Sequence, residues 1–167
     1  MRNTRAKPRR RPRGVALIEA LIAVLLLSLC ALAYAALQLR SLSNNTSSLW
    51  RSNAVAMAGA MADRMRANQP GVAAGAYDNL TGGISAPACG STSPCSPTQT
   101  AALDFTSWNT TLARSLPGGS GVVCIDSTPD DGTAAAPACD GVGSTYAVKV
   151  YWSEHGNPAL VAIEVRP

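Results

Sequence analysis

The chain has 167 residues, enough for one domain with an anchoring segment. Hydrophobic residues make up 47% and charged residues 14%, which excludes a disordered chain and is low in charge for a cytosolic enzyme. Seven of the 14 basic residues lie in the first 14 positions, where no acidic residue occurs. The remainder carries 7 basic residues against all 10 acidic ones, a net charge of −3. This asymmetry predicts a basic tail on a mildly acidic body and argues against a basic nucleic-acid-binding domain.

An apolar segment, Val15 to Leu37, follows the basic tail. As a helix rising about 1.5 Å per residue it spans a bilayer core of roughly 30 Å. It is longer than the apolar stretch of about 7–15 residues in a secretory signal peptide, and it continues directly into amphipathic sequence. Since basic flanks stay in the cytoplasm, we expect a single-pass protein whose body crosses to the other side.

Glu19 is the single charge within this apolar segment. A carboxylate at this position costs on the order of 2.5–3.5 kcal/mol on insertion scales, so it requires a partner or a function. One interpretation is an interfacial residue that reaches the lipid headgroups. The other is a functional carboxylate, and position alone leaves both open.

The residues around Glu19 form a pattern: a basic stretch ends in Gly14, apolar Val15 follows, and Glu19 is the fifth residue after the glycine. This pattern resembles the class III prepilin signal of type IV pilins and of the related pseudopilins of type II secretion. The resemblance implies that a prepilin peptidase cleaves after Gly14, that Val15 becomes a methylated N-terminus, and that Glu19 is the assembly carboxylate. Val15 departs from the phenylalanine usual in this family.

The same resemblance implies partners and a location. The precursor would lie in the bacterial inner membrane and then enter the pilus fibre at the cell surface, in contact with minor and major pilins through the N-terminal helix. Glu19 of one subunit would neutralise the new α-amino group of its neighbour, because an unpaired buried charge is costly. No cofactor is expected, and the acidic body predicts no nucleic-acid partner.

Helical periodicity continues beyond the membrane segment until Pro70-Gly71, which predicts one helix from about Val15 to Asn68. Its second half carries an apolar stripe that we expect to pack against the protein's own head domain. The stripe consists of Leu42, Leu49, Ala54, Met57, Met61 and Met65. The predicted segments are a leader at 1–14, an assembly helix at 15–37, its amphipathic continuation at 38–68 and a head domain at 69–167.

The end of this helix contains the stretch Met61 to Asn68, with Tyr77 shortly after it. It resembles the corresponding stretch of PilV-type minor pilins, the pilus modification proteins, which implies a minor pilin that helps prime assembly and supports adhesion and twitching motility. Asp63 and Arg66 are three residues apart and are expected to pair on the helix surface.

The remaining chain predicts an α+β fold, in which the long helix packs on a small antiparallel sheet. Gly71 to Thr100 is rich in Gly, Ser, Thr and Pro, which indicates an irregular connection. A short helix is predicted from Asp104 to Leu116, and a hairpin loop from His155 to Pro158. The predicted strands are Gly121–Asp126, Thr145–Trp152 and Ala159–Val165.

Five cysteines divide into one in the apolar helix and four in the body. Cys30 is expected to act as a small buried hydrophobe. Four cysteines in an exported, loop-rich domain favour disulfides, and three pairings are possible. We favour the two that close local loops, and a thiolate metal site is the alternative although no close Cys-x-x-Cys pair supports it. The favoured pairs are Cys89–Cys95 and Cys124–Cys139.

No catalytic motif occurs in the sequence, so we predict that the protein is not an enzyme. The lone His155 lies in a turn-like setting and indicates no chemistry by itself. The acidic residues of the Cys124–Cys139 loop leave a calcium site open, although Asp131 occupies the glycine position of an EF-hand pattern. These residues are Asp126, Asp130, Asp131 and Asp140. The alternatives to a minor pilin are a minor type II secretion pseudopilin and, less favoured, an anchored enzyme or a DNA-uptake pilin.

Overall fold

The computed structural model describes residues 13–89 and 93–167, and it has the expected α+β fold. The elements in chain order are α1 (Arg13–Ala67), α2 (Gln69–Ala73), β1 (Asn79–Leu80), α3 (Pro97–Ser115), β2 (Ser120–Ile125), β3 (Tyr146–Glu154) and β4 (Asn157–Val165). The predicted leader, residues 1–14, lies outside the described residues except for the first two positions of α1. The chain divides into two compact units, the second of which, Thr46–Pro167, we call the head unit.

The head unit contains a four-stranded antiparallel sheet in the order β1-β2-β3-β4. Its inner face, the side that contacts the helices, carries alternate β3 residues such as Val148, Val150 and Trp152. Its outer face carries the intervening ones, among them Lys149 and Tyr151. This alternation follows from the period of two along a strand.

The C-terminal part of α1 supplies much of the core of the head unit. Buried positions recur at helical spacing, as expected for an amphipathic helix. The predicted stripe is correct in its C-terminal half, but Leu49 is 59% exposed and Leu42 is exposed as well. The prediction failed there because periodicity identifies an apolar stripe and does not specify what covers it. The buried α1 positions are Ala54, Ala58, Met61, Ala62 and Met65.

The segment between α1 and the sheet is more regular than expected. Helix α1 ends at Ala67, within one residue of the prediction, and Pro70 and Gly71 lie inside the short helix α2. Helix α3 begins at Pro97 and not at Asp104, because Ser96 and Gln99 form a reciprocal capping box and Pro97 occupies the first turn. The prediction of an irregular Gly71–Thr100 segment was therefore wrong at α2, at β1 and at the start of α3.

The hairpin between β3 and β4 is tighter than predicted. Its turn has two residues, His155 at φ 52° and Gly156 at φ 84°, while Asn157 and Pro158 belong to β4. Positive φ at both central positions matches a turn whose twist fits the flanking strands. The four-residue loop prediction was wrong because proline was taken as a turn residue, although it is accepted in an edge strand.

Candidate functional site

The N-terminal part of α1 presents apolar side chains that are exposed among the described residues. Val15 is 60% exposed, and the large apolar residues that follow it to Leu39 are exposed as well. Within the described residues one helix is long and apolar enough to cross a membrane, and it includes this segment. Cys30, expected to be buried, is free and exposed on this helix. A helix that is apolar all round requires a lipid or protein environment.

The structure places the predicted processing and assembly residues on one continuous helix. Gly14, Val15 and Glu19 all lie within α1, and Glu19 is exposed. Val15 and Glu19 are four residues apart and therefore lie on the same face of the helix.

The stretch Met61–Asn68 forms the junction between the two longer helices of the head unit. Met61 and Met65 are fully buried, and the Arg64 guanidinium donates to the Asp104 carbonyl at 3.0 Å. Arg66 Nη1 lies 2.8 Å from Asp63 Oδ1, which confirms the predicted surface pair.

Asn68 closes this junction. Its Nδ2 donates to the Tyr77 hydroxyl at 3.0 Å and to the Pro97 carbonyl at 2.8 Å, and its Oδ1 accepts from the Gly71 N–H at 3.3 Å. One side chain thus ties the end of α1 to α2, to Tyr77 and to the start of α3. Burial is the largest cause of the raised pKa of Tyr77, which keeps its hydroxyl protonated beside Asn68.

Residues 126–140, which we call the cover loop, link β2 to the segment before β3 and lie against the outer face of the sheet. The disulfide Cys124–Cys139 joins the end of β2 to the end of this loop, with a Cα–Cα distance of 6.1 Å. A second disulfide joins Cys89 and Cys95, whose Cα atoms are 5.2 Å apart. Both distances lie within the normal range for disulfides. The head unit is therefore a disulfide-bonded domain.

Lys149 on the outer face is fully buried and binds residues of the cover loop. Its Nζ lies 2.5 Å from Asp126 Oδ2 and 3.0 Å from Asp131 Oδ1. It also donates to the carbonyl oxygens of Asp131 and Pro137, at 3.1 and 2.8 Å. Sequence analysis missed this cluster, because a lysine in a half-buried strand is ordinarily exposed to solvent.

The electrostatics of the cluster favour its charged form. Burial by itself lowers the pKa of Lys149, but the contacts with Asp126 and Asp131 outweigh burial and raise that pKa above its usual value. The hydrogen bond from Lys149 is the largest cause of the lowered pKa of Asp131. The ammonium and the carboxylates therefore stabilise each other, which is the condition for burying a charge in a protein.

Three of the four carboxylates that left a calcium site open have partners within the protein. Asp126 and Asp131 face Lys149, and Asp140 accepts hydrogen bonds from the hydroxyl and N–H of Ser127. The Ser127 hydroxyl is also the largest cause of the lowered pKa of Asp140. A cation bound at Asp126 and Asp131 would have to displace an ammonium already held by four oxygen atoms.

The cysteines considered for a thiolate metal site are joined in disulfides in the structure. Cys124, Asp126 and Cys139 offer ligand atoms within 4.8 Å of one another. The two sulfur atoms are joined in a disulfide, and the carboxylate pairs with Lys149. Thiolates, which bind zinc, are therefore not present in this group.

His155 at the hairpin turn contacts α1. Its Nε2 lies 2.9 Å from Ser47 Oγ, and its ring centroid lies 5.8 Å from that of Trp50. Arg51 Nη2 is 3.4 Å from Glu154 Oε2 beside it. These contacts join the tip of the hairpin to α1 within the head unit and give His155 a structural explanation.

A long helix with an exposed apolar N-terminal part, whose C-terminal part packs on a small antiparallel sheet, defines a pilin-like fold. Residues 36–106 match the family model described as Tt1218-like, type IV pilin Tt1218. The match covers less than half of the chain; it includes Met61–Asn68 and lies outside Gly14–Glu19. It supports a type IV pilin, a structural and non-enzymatic subunit that assembles with other pilins. No curated protein and no solved structure gives a significant match.

Proposed function

We propose that the protein is a PilV-like minor pilin of the type IV pilus, which helps prime pilus assembly and supports adhesion and twitching motility. The family match to a type IV pilin carries this proposal. The junction built by Met61–Asn68 adds a physical reason for the PilV-like stretch, because Arg64 and Asn68 both bind the segment that forms α3. Loss of either contact would weaken the attachment of α3 to the end of α1.

Processing forms the second part of the proposal. A prepilin peptidase cleaves after Gly14, and Val15 becomes the methylated N-terminus. The exposed apolar helix supports this, since the same surface suits a membrane before assembly and other pilin helices after it. The basic tail stays in the cytoplasm, and the head unit lies on the opposite side of the inner membrane until the subunit enters the fibre.

Glu19 is the assembly carboxylate in this proposal. Packed among helices and away from water, it neutralises the α-amino group of a neighbouring Val15. Because an unpaired buried charge costs about 3–5 kcal/mol, pairing favours one axial register between subunits. Glu19→Ala should therefore reduce recovery of the protein in sheared fibres by more than about tenfold. Asp130→Ala, which removes an exposed carboxylate of the head unit, is the matched control and should leave recovery unchanged.

Mass spectrometry of sheared surface fibres tests processing and placement together. We expect a peptide that begins at methylated Val15. Recovery of only the uncleaved chain, starting at or near Met1 and confined to the inner membrane, would contradict the proposal. Normal incorporation of Glu19→Ala would contradict the role of the carboxylate and leave the placement intact.

A minor pseudopilin of type II secretion is the second candidate, because the same processing pattern serves both systems. The two differ in their dependence on assembly machinery. A subunit of the pilus should disappear from the surface when pilus assembly genes are deleted and should persist when secretion genes are deleted. The opposite result would favour the pseudopilus.

A further inference from the structure

Strand β4, Asn157–Val165, is an edge of the sheet. Its nine residues pair with β3 on one side, and among residues 13–89 and 93–167 no strand pairs with its other side. An unpaired strand edge presents a row of N–H and C=O groups that can accept another strand.

The direction of each β4 backbone group follows from a contact on the opposite side of β3. The Ser153 N–H donates to the Pro117 carbonyl at 2.8 Å, on the β2 side of β3. Hydrogen bonds of an antiparallel strand alternate between its two neighbours. Trp152 and Val150 therefore bond to β4, where they lie opposite Ala159 and Val161.

The intervening residues of β4 point their backbone groups away from the sheet. Proline has no N–H to donate, and it is accepted in strands at such outward positions. Pro158 occupies one of them, in agreement with this assignment. The other three offer unpaired N–H groups, and all four offer carbonyl oxygens. The outward residues are Pro158, Leu160, Ala162 and Glu164.

This edge lacks most of the features that protect strand edges from pairing. No charged residue occurs from Asn157 to Ile163, and the register with β3 is continuous, without a bulge. Natural edges are commonly short, charged, bulged or covered. Ala159, Val161 and Ile163 are only half-buried although they pack against the main core. An added strand would complete the cover of these three side chains.

We propose that the β4 edge accepts an extended segment of a neighbouring subunit as a fifth strand, an inference that rests on the proposed function. Only an extended polypeptide matches alternating N–H and C=O groups along a strand. The segment carries apolar side chains on the inner face, beside Val161 and Ile163. A second β4 is not the occupant, since antiparallel self-pairing is isologous and closes, whereas a fibre is built from heterologous contacts.

Ala162→Pro in the full-length protein tests the proposal. It removes an outward N–H and leaves the bonds to β3 in place, so the head unit should keep its resistance to protease. Ala162→Val keeps the N–H and is the matched control. Val161→Pro removes an N–H that bonds to β3, and it shows that the protease assay detects a damaged strand.

The readout is a cross-link in assembled fibres. A photoreactive residue, Pro158→benzoylphenylalanine, is exposed and lies on the proposed edge. We expect a cross-link to an extended segment of another pilin subunit, mapped by mass spectrometry. Ala162→Pro should reduce its yield about tenfold, because the partner carbonyl loses its donor in a buried contact, while Ala162→Val should not.

An unchanged cross-link in Ala162→Pro overturns the proposal, and so does a cross-link only to β4 of a second copy. Should Ala162→Pro lose protease resistance, Glu164→Pro removes the next outward N–H near the strand end, with Glu164→Ala as its control. The same loss is then expected, and retention overturns the proposal. If fibres contain the protein with methylated Val15 and Ala162→Pro leaves the cross-link unchanged, only the added strand is refuted. If the fibres do not contain the protein, the proposed function is refuted.

Discussion

Lys149→Met removes the positive charge that faces Asp126 inside the head unit and keeps a long unbranched side chain. The Asp126 side chain would remain at 0% exposure with its Oδ2 unpaired. Removing one partner of a buried ion pair costs about 3–5 kcal/mol. Asp131 is half-exposed and can turn towards water, so it adds little to this cost.

The expected loss is large enough for a thermal melt. For a domain of this size, 1 kcal/mol shifts Tm by roughly 2–8 °C, so the variant should melt at least about 6 °C below the wild type. The assay is thermal unfolding of the full-length protein in detergent, followed by tryptophan fluorescence, since Trp108 and Trp152 lie in the core. Arg166→Met, at an exposed position, is the matched control and should change stability by less than about 0.5 kcal/mol.

A second variant separates a lost charge from a lost contact. Lys149→Met combined with Asp126→Val replaces both partners by apolar groups, which is often neutral or stabilising for a buried pair. We therefore expect the double variant to recover much of the lost Tm. If Lys149→Met has the same Tm as the Arg166→Met control, the ion pair does not anchor the cover loop and the reasoning fails.

Two further perturbations test a buried tyrosine and a disulfide of the head unit. Burial, and to a lesser extent the Asp78 carboxylate, raises the pKa of Tyr146 to about 12. The neutral phenol therefore stabilises the folded state fully below the unfolded pKa of about 10, and this stabilisation is lost as the pH rises through about 12. Tyr146→Phe should flatten unfolding stability across that window, and a wild-type tyrosinate absorbance step complete by about pH 10 would contradict this. Replacing Cys124 and Cys139 together by serine should cost about 3 kcal/mol in urea unfolding, since the bridge spans 15 residues. Reducing agent should destabilise the wild type by more than it destabilises the variant, which keeps only the Cys89–Cys95 bridge.

The parts of the fold that follow from local signals could be predicted. The long helix has strong periodicity and a clear stop, and its observed end at Ala67 lies close to the predicted Asn68. Strands β2, β3 and β4 are rich in branched and aromatic residues, and their positions were predicted to within a few residues. Each of these signals is contained within one element.

The parts that depend on tertiary contacts could not. Strand β1 has two residues, too few for a pattern, and it exists because it pairs with β2. Asn68 belongs to the stretch that resembles PilV-type minor pilins. Its hydrogen bonds, however, depend on Tyr77 and Pro97 lying beside it in the folded chain. The start of α3 carried a detectable signal, the Ser96–Gln99 capping box with Pro97 between them, which was overlooked.

The cover loop shows why its acidic residues suggested a metal site. It is rich in Asp, Pro, Ala and Gly and has no large apolar side chain, so burial of apolar area can contribute little to holding it on the sheet. The disulfide Cys124–Cys139 and the ion pairs of Lys149 supply the attachment instead. A loop that binds a metal ion and a loop that pairs with a buried lysine both require carboxylates. Only the position of Lys149 on the outer face distinguishes the two cases here. That position is fixed by the register of β3, where Lys149 lies opposite Val122 on the strand that leads into the loop.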